Sequence, residues 1–189
     1  MAKFIDNGIE KFASYLRDRN NLDHITYLKV RLGMQTISNN LIKGIVVYGV
    51  SLLMHQFLYT LTVHLSFLTI KNFAHGAHAR STLQCHTLNI LFFIFSPWLI
   101  VHYKIHFATI VIPTTLSIVF LILYAPAVTI KQPISESKRK PKKIITLIIT
   151  FFILLLSVFF KEPYKELILL GIIIVGFSQL PLFFRKERI

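Results

Sequence analysis

The chain carries a single cysteine, Cys85, and the residues leading to it read Ala74-His75-Gly76-Ala77-His78-Ala79-Arg80-Ser81-Thr82-Leu83-Gln84-Cys85-His86. A thiol and an imidazole are the two groups that nucleophilic acyl transfer requires: the imidazole removes the proton, and the thiolate attacks a carbonyl carbon. They must come within hydrogen-bond reach, about 2.6 to 3.2 Å. His78 and Cys85 are seven residues apart, so a single unbroken helix would stack them on one face but leave them about 10 Å apart along its axis. The chain must therefore break between them. Ser81-Thr82-Leu83-Gln84 supplies such a break, because it matches the capping box in which a serine opens a helix and a glutamine three residues on reaches back to its amide. Cys85 then falls in the first turn, where free amides and the positive end of the helix dipole favour a thiolate and offer donors to a developing oxyanion. Ser81, Gln84, Gly76 and His75 are read as supporting positions, and Lys71, Arg80 and Lys131 as candidates for holding a substrate.

The same residues admit other readings. A lone cysteine in an apolar helix is ordinarily packing material; the three surrounding histidines argue against that here. His75 and His78 form a His-x-x-His pair that, with Cys85 or His86, would give zinc enough ligands. The stretch holds no carboxylate to serve as the base of a zinc hydrolase, and Gly76 loosens the helix that would hold the pair. The dyad reading calls for no metal and no cofactor. His24, His55, His64, His102 and His106 are scattered and receive no role.

The elements that must position this stretch are set by composition. Hydrophobic residues make up 54% of the 189 and charged residues 15%, too apolar a balance for an ordinary soluble domain of this length. The expected fold class is all-α, a polytopic helical membrane protein of four to six transmembrane helices with amphipathic N-terminal helices. Residues 1–40 read as those amphipathic helices, broken at Asn20-Asn21, either lying in the membrane interface or packing as a small cytosolic hairpin. The tract 41–70 is 30 residues long, about 45 Å as a helix. That is too long for one span, and a turn at His55-Gln56 would make it a hairpin or two short spans. Residues 71–86 form the catalytic loop. Within 87–189, apolar runs at 88–101, 107–127, 144–160 and 167–184 give four spans.

The net charge of +13 is placed beside these runs, with seven Lys or Arg before residue 44, six between 128 and 143, and three at the C-terminus. This is the positive-inside pattern facing an anionic lipid bilayer, and it argues for a membrane partner and against nucleic acid. It directs both termini and the catalytic loop to the cytoplasm of a bacterial cell. A single cysteine excludes an intrachain disulfide.

Several further stretches resemble a known family: Asn20-Asn21-Leu22-Asp23-His24, Arg31-Leu32-Gly33-Met34-Gln35, Ala74 to Ala79 with Cys85 beyond, Tyr124-Ala125-Pro126-Ala127, and Lys161-Glu162-Pro163. Together they look like the accessory gene regulator B family of quorum-sensing membrane peptidases, nearly end to end. The resemblance implies a cysteine endopeptidase that removes the C-terminal tail of a short AgrD-like propeptide and closes the rest into a cyclic thiolactone, with Cys85 as nucleophile, His78 as base, and a homodimer as the assembly. The chain departs from the family's pattern where Lys71 is followed by Asn72 and Phe73 instead of lying in a basic pair, and where the usual lysine cluster is thinned to Ile130-Lys131-Gln132. The competing class is a small transporter or channel subunit for peptide export. Against it, residues 107–127 and 144–160 carry no ionisable group of the kind a transport path needs.

Overall fold

The computed structural model describes residues 3–76, 82–127 and 134–181. Among them are eight α-helices and one π-helical turn: α1 Lys3–Asn20, α2 His24–Leu53, α3 Phe57–Ala74, α4 Thr82–Ile90, the π turn Leu91–Phe95, α5 Ser96–His102, α6 Phe107–Tyr124, α7 Glu136–Val158 and α8 Tyr164–Ser178. Helices are the form a chain this apolar must take, because lipid offers no partners to backbone amides and carbonyls. Four helices are long and apolar enough to cross a membrane: His24–Leu53, Leu83–His102 (α4 to α5), Phe107–Tyr124 and Glu136–Val158.

The burial pattern is that of a protein bathed in hydrocarbon. Large apolar side chains point outward, as at Leu53, Ile112, Phe151, Phe152 and Phe159, whereas Ser66, Thr114, Ser117, Thr146, Thr150 and Ser157 are buried. Small and hydroxylic residues between helices let backbones approach closely, which is how helices associate where lipid is as apolar as leucine. The chain is an all-α polytopic membrane protein.

The described chain divides into two units, 1–49 and 50–189. In the first, α1 lies antiparallel on the front of α2. Glu10 pairs with Arg31 and accepts from the Tyr27 hydroxyl at 3.4 Å, Gln35 donates to Asp6 at 3.4 Å, and Ile9, Ala13 and Tyr27 are buried. The break between the helices falls at Asn21, whose φ is +49°, and Asp23 caps α2 by accepting from the amides of Ile25 and Thr26. The expected second amphipathic segment and the front of the 41–70 tract form one uninterrupted helix, α2.

The second unit is a bundle around α8. Nine of its fifteen residues are buried, and it packs most heavily on α6 and α3, then on α7. The entry to α3 is a turn through Met54, His55 and Gln56, with His55 at φ +56°, at the pair that the sequence marked for a hairpin. Helices α3, α6 and α8 run parallel. At one end the rings of Tyr59 and Tyr164 meet at 5.7 Å and Lys165 lies over Phe107; at the other, Lys71 donates to Ser178 and Ala127 meets Gln179. Between these ends, Ser66 donates to the Ile168 carbonyl at 2.8 Å, and Gly171 and Gly176 sit so close to Ser66 and Ser117 that no side chain could be added without displacing them. The segment from α4 to α5 returns antiparallel to α3, with Phe93 packed on His64 and Phe67. Its π turn precedes Pro97, which has no N–H to continue the ladder; Ser96 takes up the slack by donating its hydroxyl to the Leu91 carbonyl at 2.9 Å.

Candidate active site

Cys85 is the fourth residue of α4, which starts at Thr82. It is half-buried and unbridged. Gln84 is the third residue and Cys85 the fourth at the N-terminal end of α4; Ser81, the expected cap, lies outside the described residues. The free amides and the dipole at such an end favour negative charge on a sulfur or on a carbonyl oxygen under attack.

On the other side of the loop, α3 ends at Ala74, and His75 turns the chain with φ +57°. His75 is followed by Gly76 at φ +103°, a conformation that L side chains rarely adopt. An added Cβ there would also lie 2.5 Å from Gln179 Nε2 and 2.9 Å from both Lys71 Nζ and Ser178 Oγ. The glycine is thus required twice, by backbone torsion and by crowding.

These residues belong to a polar knot at one end of the three parallel helices. Lys71, in the last turn of α3, donates to the Ser178 hydroxyl at 2.9 Å. The Lys142 ammonium on α7 stands 2.6 Å from His75 Nε2. An ammonium only donates, so this contact is a hydrogen bond in the tautomer whose ring proton sits on Nδ1. The same contact sets a cation against the imidazole edge that a bound dication would need. The Ala127 amide donates to the Ala74 carbonyl at 3.2 Å, pairing the His75 strand with the segment that leaves α6.

The structure thus brings Lys71, His75 and Gly76 together, and places Gln84 and Cys85 on α4, five residues of chain beyond Gly76. His78, Arg80, Ser81 and Lys131 lie outside the described residues. Reasoning from sequence overlooked Ser178 and Gln179, and assigned Lys142 only to membrane topology. The available signal was a polar pair, Ser178-Gln179, closing an apolar run just before Pro181.

Comparison with known proteins bears on the same residues. A family model described as accessory gene regulator B matches residues 9–179. Curated relatives named accessory gene regulator protein B include one from Staphylococcus saprophyticus, 49% identical and covering 99% of both chains. Another, from Staphylococcus haemolyticus, is 47% identical over 98% of each, and one from Staphylococcus lugdunensis is 48% identical over 98% of this chain and 99% of its own. No solved structure matches. A family match that runs from α1 through the polar knot, with relatives alike in nearly every segment, makes the chain a member of the accessory gene regulator B family.

Proposed function

We propose that this protein is a quorum-sensing membrane cysteine endopeptidase that cuts the C-terminal tail from an autoinducer propeptide and cyclises the remainder to a thiolactone. The observation that carries the reading is the position of Cys85, the chain's one thiol, half-buried in the opening turn of α4 directly after the histidine-bearing loop. Membership of the family supports it. His78 takes the proton from the Cys85 thiol, and the sulfur attacks the scissile carbonyl while amides of α4 hold the oxyanion. The C–N bond then breaks, the departing amine takes the proton back from His78, and the propeptide is left as a thioester on Cys85. A cysteine of the propeptide passes its proton to His78 and attacks the thioester carbonyl; Cys85 leaves as the thiolate and takes that proton from His78, so one thioester replaces another. The second exchange is near thermoneutral, whereas the first makes a reactive ester from a stable amide. Water must be kept from that ester, and a site at the edge of a lipid-embedded bundle does so.

On this reading the chain crosses six times, by α2, α3, the α4 to α5 segment, α6, α7 and α8. The polar knot, the catalytic loop and the lysines of α7 share one end, and the positive-inside rule makes that end cytoplasmic, the side on which a ribosomal propeptide arrives. A homodimer in an anionic bilayer is the working assembly. The test is purified protein in liposomes with a candidate propeptide, followed by product masses: cleaved tail and cyclic peptide from the wild type, neither from Cys85→Ser. Persistent cleavage by that variant would rule out the reading.

A second reading, an export subunit, draws on Glu166. This α8 carboxylate is 1% exposed, and neither of its oxygens has a hydrogen-bond partner among the described residues; intramembrane acids often mark transport paths. Peptide moving across the liposome wall with its mass unchanged would favour that reading.

A further inference from the structure

The side chain that joins the polar knot is Gln179, at the C-terminal end of α8. It is fully buried. Its Nε2 donates to the His75 carbonyl at 3.1 Å, and its Oε1 accepts from the Ala127 amide at 3.3 Å. One amide group thus satisfies a carbonyl at the root of the loop that carries His78 and an N–H at the root of the segment that carries Lys131. Gly76 packs against the same Nε2, and the Ala127 amide is shared with the Ala74 carbonyl. Gln179 is therefore bonded to backbone, not to side chains, at both places where chain leaves the bundle for the catalytic side.

We infer that Gln179 is a positioning residue of the peptidase, a clip from α8 that fixes the starting points of the His78 loop and of the segment following α6. The inference rests on the proposed Cys85/His78 dyad. An amide suits this task because it carries a donor and an acceptor on one rigid plane, so one side chain meets a carbonyl and an N–H at once. The His75 bond lies three residues from the proposed base, so its loss moves the imidazole relative to Cys85. Misplacement of about 1 Å in a reacting group lowers turnover by roughly 10- to 100-fold.

Glu at this position separates positioning from general structure. Gln179→Glu keeps the shape and the acceptor for the Ala127 amide, loses the donor to His75, and lies near the Lys71 ammonium, which balances its charge. Gln179→Leu removes both bonds. Three variants, Gln179→Glu, Gln179→Leu and His78→Ala, are compared with wild type in liposomes for kcat and KM on the propeptide, and for the rate at which iodoacetamide alkylates Cys85, the only thiol in the chain. Thermal unfolding in detergent serves as the folding control. The expected result for Gln179→Glu is a kcat lower by roughly 10- to 100-fold, a KM near wild type, a Cys85 alkylation rate shifted toward that of His78→Ala, and an unfolding midpoint between those of Gln179→Leu and wild type. Gln179→Leu should raise KM as well, because the segment after Ala127 is also released. If His78→Ala is inactive while Gln179→Glu keeps the wild-type kcat and alkylation rate, the clip is overturned and the dyad stands. If His78→Ala itself cleaves normally, the dyad falls and the clip with it.

Discussion

At Gly76 a single hydrogen atom decides whether the chain can turn out of α3 as it does at His75 and Gly76. Gly76→Ala meets a positive φ and a Cβ clash with Gln179 and Lys71, and backbone strain of this kind costs of order 1 to 3 kcal/mol. The expected outcome is a lower unfolding midpoint in detergent together with loss of propeptide cleavage, whereas Gly33→Ala, with nothing near the new methyl, should change neither. Cys85→Ala and His78→Ala should each lower cleavage by about three orders of magnitude or more, since removing one member of a nucleophile and base pair removes most of what the pair does. Product masses and initial rates in liposomes check both. At this scale residue types and spacing supplied the candidates, Cys85 and His78, and the expected cap Ser81 lies outside the described residues. The role of Gln179 was not legible, because its partners are backbone atoms 104 and 52 residues away and no local pattern records them.

Single helices in this protein are read well from sequence where polar residues punctuate them and less well where apolar runs continue. The break before α2 was legible at Asn20-Asn21, and the structure adds Asp23 as the cap. Hydrogen bonds from the Thr26 hydroxyl and amide hold its carboxyl below the ordinary value of 3.8, so the cap contributes fully above that value and is lost as pH falls through the lowered one. Hydrogen exchange at the Ile25 and Thr26 amides should accelerate at that pH, and Asp23→Ala should show the faster exchange at every pH. The contacts of α8 were less legible. Gly171 and Gly176 look like ordinary weak points of an apolar helix, yet they are where α3 and α6 come closest. Gly171→Val must push Ser66 aside and break its bond to the Ile168 carbonyl, an overpacking that costs about 1 to 3 kcal/mol. A clear fall in the unfolding midpoint is expected, against little change for Phe159→Leu on the outer surface.

At the scale of the bundle formed by residues 50–189, the helix at the centre is a short one. At fifteen residues, α8 is about 22 Å long, shorter than the hydrocarbon layer of about 30 Å, and its flanks are shielded by α3, α6 and α7. The proposed six crossings predict that a cysteine introduced at Lys161, in a Cys85→Ser background, reacts with an impermeant maleimide added outside intact cells, and that one at Lys138 reacts only after the membrane is opened. Labelling of both from the same side would contradict six alternating crossings.

The amino-acid sequence by itself determined that the chain lives in lipid as a set of helices, which ends of those helices carry positive charge, and which thiol and imidazole stand as candidates for chemistry. These follow from composition, periodicity and short spacings, all properties of neighbours along the chain. Only the tertiary structure decided that α8 forms the centre of the bundle, that α3, α6 and α8 run parallel, and that Gln179 joins the roots of two distant segments. Those outcomes depend on which helix surfaces fit when small residues meet, and on which buried backbone groups lack a partner until a side chain from elsewhere in the fold arrives.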